Sequence, residues 1–277
     1  MKSVVKGVGR REVRRVAAGT VQPATEDDVV VEEPLEIRAA GETLAVTMRT
    51  PGHDRELAVG FLYAEGVISS RDDISRVAHC GRPDQEGFGN TIDVSPGPGA
   101  EFDVERVSLT RRGTLTTAAC GVCGRRSVQD VIDRCERLPE PPTAAAAEIA
   151  AAMEKLRTFQ PNFSRTGGIH AAAALDARLQ PLAAFEDIGR HNAIDKVVGS
   201  LVLSGKVPGN EAVVLLVSGR ASFEVVQKAA TARIAIVASV SAASSLAIDL
   251  ARATGVTLCG FVRNGAMTVY SHPTRLR

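Results

Sequence analysis

The 277-residue chain carries 33 basic and 32 acidic side chains, a formal charge of +1. That balance excludes a protein that grips nucleic acid or an anionic membrane through bulk charge. With no Trp, two Tyr and eight Phe, it also lacks the aromatic platforms on which single strands stack. A hydrophobic share of 44% with 23% charged residues is ordinary globular composition. No stretch approaches the ~20 apolar residues of a bilayer span. Met1-Lys2-Ser3 leads into no apolar h-region, so no signal peptide is expected and the cytoplasm is the expected compartment.

Residues 1–22 hold Arg10, Arg11, Arg14 and Arg15 and read as a solvated or frayed arm. From Val29 to Met48, two β-rich runs flank Ala40-Gly41-Glu42, a predicted hairpin. Asp54 is expected to cap a helix that carries Leu57, Phe61 and Leu62 on one face and stops at Gly66. Residues 81–99 read as loop with a short strand near Thr91–Val94, and Val104–Leu109 as a further strand. Thr114–Gly124 reads as a mobile loop. Val128, Val131, Ile132 and Cys135 then mark one apolar helix face, with Ser127 as its cap. After Leu138–Pro142 an Ala-rich helix is expected from Thr143 to about Phe159.

The rhythm then changes. Gly168–Leu175 and Leu179–Phe185 predict a hairpin, and Ala193 to Val202 a helix. Ala212–Val217 is short enough for a buried strand. A helix over 221–232, a strand at Ile234–Val240 and a helix from Ser244 to Ala253 closed by Gly255 follow. Val256–Val262 and Met267–Tyr270 flank Asn264-Gly265, a strong hairpin signal. Alternating strand and helix implies an α/β layered domain, α+β overall. The expected divisions are an arm at 1–22, a β-rich lobe at 23–113, a cysteine-bearing loop and helix at 114–138, and an α/β domain at 139–277.

Five cysteines in a reducing compartment do not make a disulfide framework. Cys80, Cys135 and Cys259 are isolated and read as plain core residues. Cys120 and Cys123 form the one C-x-x-C. It suits half a zinc site, a redox disulfide, a sulfur carrier or coincidence. Zinc wants four ligands and no second pair exists, although a dimer could supply one. A thioredoxin-type pair would follow a strand of a βαβ unit, whereas these flanks are glycine and threonine. The sulfur-carrier reading fits the local electrostatics best. Arg125, Arg126 and a helix N-terminus lie just after the pair, and both favour thiolate.

Polar and basic groups recur where strands hand over to helices. Asp187-Ile188-Gly189-Arg190-His191-Asn192, Ser218-Gly219-Arg220 and Ser239 to Ser245 are three such junctions. Helix N-termini favour anions, and glycines let backbone approach a phosphate. Simple capping accounts for any one junction. The three together, with Arg190, His191, Ser218, Gly219 and Arg220, suggest a nucleotide or dinucleotide ligand in the crevice of an α/β sheet. Neither a P-loop nor G-x-G-x-x-G is present. His170, a single histidine after Thr166-Gly167-Gly168-Ile169, reads more readily as structural.

Together these segments resemble the formate dehydrogenase accessory sulfurtransferases, the FdhD family. The likeness is carried by Arg49-Thr50-Pro51-Gly52-His53-Asp54, Cys120-Gly121-Val122-Cys123-Gly124, Thr166-Gly167-Gly168-Ile169-His170-Ala171, Glu186-Asp187-Ile188-Gly189-Arg190-His191-Asn192 with Asp195-Lys196, Ser218-Gly219-Arg220-Ala221-Ser222-Phe223-Glu224 and Phe261-Val262-Arg263. Ala119 and Ala243 depart from the serine and proline usual at those places. The resemblance implies a cytidine-deaminase-like C-terminal domain without that fold's zinc chemistry. It implies a sulfurtransferase whose Cys120 bears a persulfide received from a cysteine desulfurase, with Cys123 assisting. The acceptor would be the molybdenum cofactor, as bis(molybdopterin guanine dinucleotide), destined for formate dehydrogenase. Phe261, Val262, Arg263, Asn264, Gly265 and Ala266 match the cofactor-contacting stretch. No permanent metal is implied, and a homodimer is left open. The alternative is a non-catalytic chaperone that holds the cofactor, with the cysteines as a structural zinc clamp. A thiol–disulfide oxidoreductase is a third reading.

Overall fold

A computed structural model describes residues 7–82, 84–85, 87–104, 132–133, 135, 137–139 and 144–277. The cysteine pair with Arg125 and Arg126, the strand predicted at Val104–Leu109 and the helix predicted at Val128–Cys135 lie outside these residues, apart from Val104, Ile132, Asp133 and Cys135.

The amino-terminal segment is a hairpin, not a frayed arm. Strand β1 (Val8–Val13) pairs antiparallel with β4 (Thr25–Val30), and the short strands β2 (Val16–Ala17) and β3 (Thr20–Val21) pair between them. The register sets Arg10 opposite Asp28 and Arg11 opposite Asp27. Ion pairs Arg15–Asp27 (2.8 Å) and Arg10–Glu26 (3.1 Å) follow. Opposite charges facing across strands stabilise a pairing that has little apolar cover.

Strands β5 (Glu33–Ala39) and β6 (Glu42–Arg49) form the predicted hairpin, with Ala40 and Gly41 both at positive φ. With β7 (Ile74–His79) and β8 (Thr91–Pro96) they make a four-stranded sheet ordered β6-β5-β8-β7. Helix α1 (Asp54–Glu65) buries Leu57 and Leu62 and ends at Gly66 in the left-handed conformation. Asp54 does not cap it. His53 holds the cap position without a side-chain bond, and the Asp54 carboxylate is claimed by Arg49, at 3.0 and 3.2 Å.

The C-terminal half opens with α2 (Ala146–Lys155), a 3₁₀ turn (Leu156–Phe159) and α3 (Pro161–Thr166). Its six-stranded sheet comprises β9 (His170–Leu175), β10 (Pro181–Asp187), β11 (Val214–Val217), β12 (Ile236–Ser239), β13 (Thr257–Arg263) and β14 (Ala266–Ser271), ordered β10-β9-β11-β12-β13-β14. Strands β11, β12 and β13 are parallel, joined through α5 (Phe223–Thr231) and α6 (Ser245–Thr254); α4 (Arg190–Leu203) links β10 to β11. Every residue of β11 and β12 is buried, which requires cover on both faces. Helix α5 packs against both α4 and α6 along the sheet. Helix α2 with its 3₁₀ turn reaches β13 and β14 and then β9 and β10. The mixed helix-and-sheet class expected from the pattern is the class observed.

The two halves meet where α1 crosses α4. A β carbon at Gly60 would stand 1.9 Å from the Asp195 carbonyl oxygen, and one at Gly199 would stand 1.9 Å from that of Glu56. Only glycine permits backbones this close. Cys259 and Cys135 are buried, as expected. Cys80, just past the end of β7, is only partly so. Among the described residues no helix is long and apolar enough to cross a membrane.

Candidate functional site

Parallel strands end in loops at their carboxyl edge, and here those loops border a cleft of about 680 Å³. Its walls include Arg157 and Gln160 from the 3₁₀ turn and its end, His170 at the start of β9, Ser218 after β11, and Arg263 and Asn264 at the β13–β14 turn. Each arrives for a local reason. Gly167 ends α3 at φ 66°, which lets the chain reverse into β9. Ser218 is fixed by reciprocal bonds: its N–H donates to the Ala171 carbonyl (3.0 Å), and its Oγ accepts from the Ala171 N–H (2.9 Å). Asn264 (φ 51°) and Gly265 (φ 72°) are both left-handed, which the two-residue hairpin turn predicted for Asn-Gly requires.

The predicted junctions assemble along this edge. A β carbon at Gly219 would lie 3.5 Å from Arg190 Cδ and 3.6 Å from His170 Nδ1, so these three residues adjoin. The Arg190 Nε is buried and has no hydrogen-bond partner among the described residues. Ser239 Oγ donates to the Gly219 carbonyl (2.6 Å), tying the β11 loop to the β12 loop. Burial holds the His170 imidazole below its ordinary pKa, and the positive Arg190 and neighbouring His191 push in the same direction. The cleft wall thus carries Arg157, Arg263 and Glu154 beside an imidazole whose charged form is disfavoured.

Of the residues singled out from sequence, Ser218, Val262, Arg263 and Asn264 line the cleft. Val262 is fully buried, whereas Phe261 is 40% exposed at φ 54°, and Gly265 and Ala266 are exposed at the hairpin tip. Arg190 and Gly219 border His170, and Arg220 is exposed. His191 faces neighbouring side chains: its Nδ1 is 2.6 Å from Glu224 Oε2 and its Nε2 is 3.1 Å from Ser222 Oγ. Cys120 and Cys123 lie outside the described residues. Sequence reasoning missed Arg157 and Gln160, and it discounted His170. Arg157 follows Glu154, Lys155 and Leu156 at the end of a helix that already carries charge, so no local signal singled it out.

Several segments that carried the family resemblance hold the halves together. Asp187, fully buried, pairs with Lys196 Nζ at 2.6 Å and accepts from the Thr50 N–H (3.2 Å), the Gly189 N–H (2.8 Å) and Asn192 Nδ2 (3.0 Å). Lys196 also donates to the Thr50 carbonyl (3.0 Å). Asp195 meets Lys228 at 2.5 Å; burial raises its carboxyl to about 6 although Lys228 pulls the other way. Among the described residues no group of three or more histidine, cysteine or carboxylate side chains is placed to hold a metal ion.

The arrangement defines an α+β protein with a polar cleft at the carboxyl edge of its sheet, whose walls carry Arg157 and Arg263 together with Glu154. Residues 30–277 match the model of the FdhD/NarQ family. The chain is 53% identical over 274 residues to the sulfur carrier protein FdhD of Anaeromyxobacter sp. (strain K), covering 97% of this chain and 93% of that protein. It is 47% identical to the protein of the same name from Mycobacterium tuberculosis, over 96% and 97% of the two chains, and 46% identical to that of Nocardia farcinica, over 97% and 94%. A solved structure described as a formate dehydrogenase accessory protein from Desulfotalea psychrophila superposes with a TM-score of 0.75. That match covers 98% of this chain and 99% of that one at 22% identity, so it speaks to the fold. The chain belongs to the FdhD/NarQ family.

Proposed function

We propose that the protein is a sulfur carrier for formate dehydrogenase maturation in the cytoplasm. In this reading Cys120 takes sulfane sulfur from a cysteine desulfurase as a persulfide, Cys123 assists, and the sulfur passes to a molybdenum cofactor in its bis(molybdopterin guanine dinucleotide) form. The observation that supports it best is the polar cleft with Arg157 and Arg263 on its wall beside Glu154, in a chain whose relatives are named sulfur carriers. The cofactor is cargo here, and the residues present fit it. Arg157 and Arg263 offer cations to its phosphates, and Asn264 and Ser218 offer hydrogen-bonding groups. The Arg190 Nε next to Gly219, without a partner among the described residues, is a further donor for an anionic group.

The chemistry asked of the cysteines is nucleophilic. A thiolate attacks the sulfane sulfur of a donor persulfide, and the donor cysteine leaves as its own thiolate. Arg125 and Arg126, just beyond the pair in sequence, favour the anionic form. The test is mass spectrometry after incubation with desulfurase and cysteine. Wild type is expected to gain about 32 Da, one sulfur atom, on Cys120. Cys120→Ala is expected to lose that adduct and to leave formate dehydrogenase inactive. Full activation by Cys120→Ala, or stoichiometric zinc bound through both cysteines, refutes the reading.

A further inference from the structure

Gln160 is a wall residue of the cleft and is only 5% exposed. The hydrogen bonds it makes among the described residues all run through its main chain. Its N–H donates to the Arg157 carbonyl (3.1 Å), and its carbonyl accepts from the Ser164 N–H (3.0 Å) and the Ser164 hydroxyl (3.0 Å). The side-chain carboxamide, one acceptor with two N–H donors, has no partner among the described residues. A buried amide is ordinarily paired, because a dry one forfeits the bonds it had in water. Helix capping does not employ it. Gln160 holds the cap position of α3, yet its side chain makes no cap bond. The Glu186 carboxylate takes the Asn162 and Phe163 N–H groups instead, at 3.0 and 2.8 Å. Main-chain bonds on both sides, with Pro161 in the first turn of α3, fix the residue where it stands.

The setting narrows what this amide can meet. Met153, Leu156, Ile169 and Val262 are buried and line the same cleft, giving apolar contact for the faces of a flat ring. A carboxamide in such a lining pairs, by two parallel hydrogen bonds, with a ring edge that shows a donor beside an acceptor. Adenine and a lactam both have such an edge. Glu154, on the same wall, separates them: a carboxylate only accepts, so it suits a ring with a further N–H to give. An amino-lactam has that group, in a row of carbonyl, ring N–H and exocyclic amino. Adenine offers its single amino group as donor and nothing beyond it. Arg157, whose guanidinium lies 5.4 Å over the Phe163 ring, and Arg263 remain for phosphates attached to the ring.

We infer that Gln160, with Glu154, reads the edge of an amino-lactam heterocycle and selects the ring that the cleft accepts. The inference rests on the cargo proposed above, in which guanine and the pterin both carry that edge. Gln160 takes part in no bond-breaking step; it sets specificity, because a ring that cannot answer the amide leaves it buried and unpaired.

Calorimetric titration of the full chain tests this with two pairs of probes. One pair is guanosine and adenosine diphosphate; the other is hydroxymethylpterin and its diamino analogue, in which an amino group replaces the carbonyl. Wild type is expected to prefer the lactam member of at least one pair by about 10–100-fold, the range of one bidentate contact. The pair discriminated names the source of the ring, nucleotide or pterin. Gln160→Met keeps the side-chain length without the amide. It is expected to remove the preference, to leave the disfavoured member unchanged, and to melt at or above wild type, since no bond is lost. Glu154→Ala is expected to reduce the preference about threefold. Wild type that discriminates neither pair overturns the inference, and so does a preference undiminished in either variant. Equal loss of all four probes in Gln160→Met, together with a lowered melting temperature, marks a structural role and also overturns it. The Cys120 adduct is scored separately on the same wild-type preparation. Discrimination without the adduct refutes the sulfur reading alone, and the adduct without discrimination refutes this inference alone.

Discussion

Gly199→Ala isolates the contact that joins the two halves. In the interior of an exposed helix this change stabilises by about 1 kcal/mol, because alanine has less backbone freedom to lose. Here the new β carbon would stand 1.9 Å from the Glu56 carbonyl oxygen and 2.7 Å from the Gly60 nitrogen. Ordinary contact is about 3.5 Å, so α1 and α4 must part by roughly 1.5 Å, and neither neighbour is a side chain that can swing away. Overpacking of this kind costs about 1–3 kcal/mol. Parting the helices also loosens Leu57, Ala58, Val197 and Val198, all buried. Set against the helix gain, a net loss of about 1–2 kcal/mol is expected. For a chain of this length that lowers the melting temperature by about 2–8 °C. Calorimetry or circular dichroism reads it directly. Gly60→Ala, which meets the Asp195 carbonyl, is expected to behave alike, and the double variant to cost less than the sum because the helices have already separated. If Gly199→Ala melts at or above wild type, the close crossing is wrong.

Three further outcomes are expected. Lys228→Met leaves Asp195 buried without its cation and costs about 3–5 kcal/mol in urea denaturation, whereas Asp195→Leu with Lys228→Met recovers most of it. His170 titrates below its unfolded value, so the unfolded chain takes up this proton first. Its contribution to stability is present above about pH 6.5 and is lost as pH falls through the lower folded value. His170→Gln is therefore expected to flatten the acid limb of a stability–pH curve. Arg263→Ala, on the cleft wall, is expected to weaken guanosine diphosphate, a fragment of the proposed cargo, by about tenfold in calorimetric titration. Unaltered affinity would remove Arg263 from the ligand site.

Much of the C-terminal half was legible because its signals are local. Alternating short apolar runs and helical faces gave the strand–helix order, and Asn264-Gly265 gave the turn, since two successive left-handed residues suit that pair. What escaped was set by distant partners. The amino-terminal hairpin pairs Arg10 and Arg11 with Asp28 and Asp27, and each block alone looks like solvated charge. Asp54 sits where a cap belongs but goes to Arg49 instead, because a buried guanidinium needs a bidentate acceptor more than the helix needs a cap. Gly60 and Gly199 carry no local signal, since what demands them is the opposing backbone. At the site, the junction residues were visible as polar breaks between apolar runs. Their division into cleft wall, lobe junction and the His191 cluster depends on tertiary geometry.

The burial of Cys259 has a bearing on selectivity. Its thiol is pushed up to about 12 by desolvation. At neutral pH almost none of it is present as the reactive anion. In the proposed sulfur-carrier role, labile sulfur could be misdirected onto the chain's own side chains, and this residue is effectively silent in any such exchange. Alkylating reagents used to map the working thiols will pass it by until the chain unfolds, so its modification can serve as an internal gauge of lost structure.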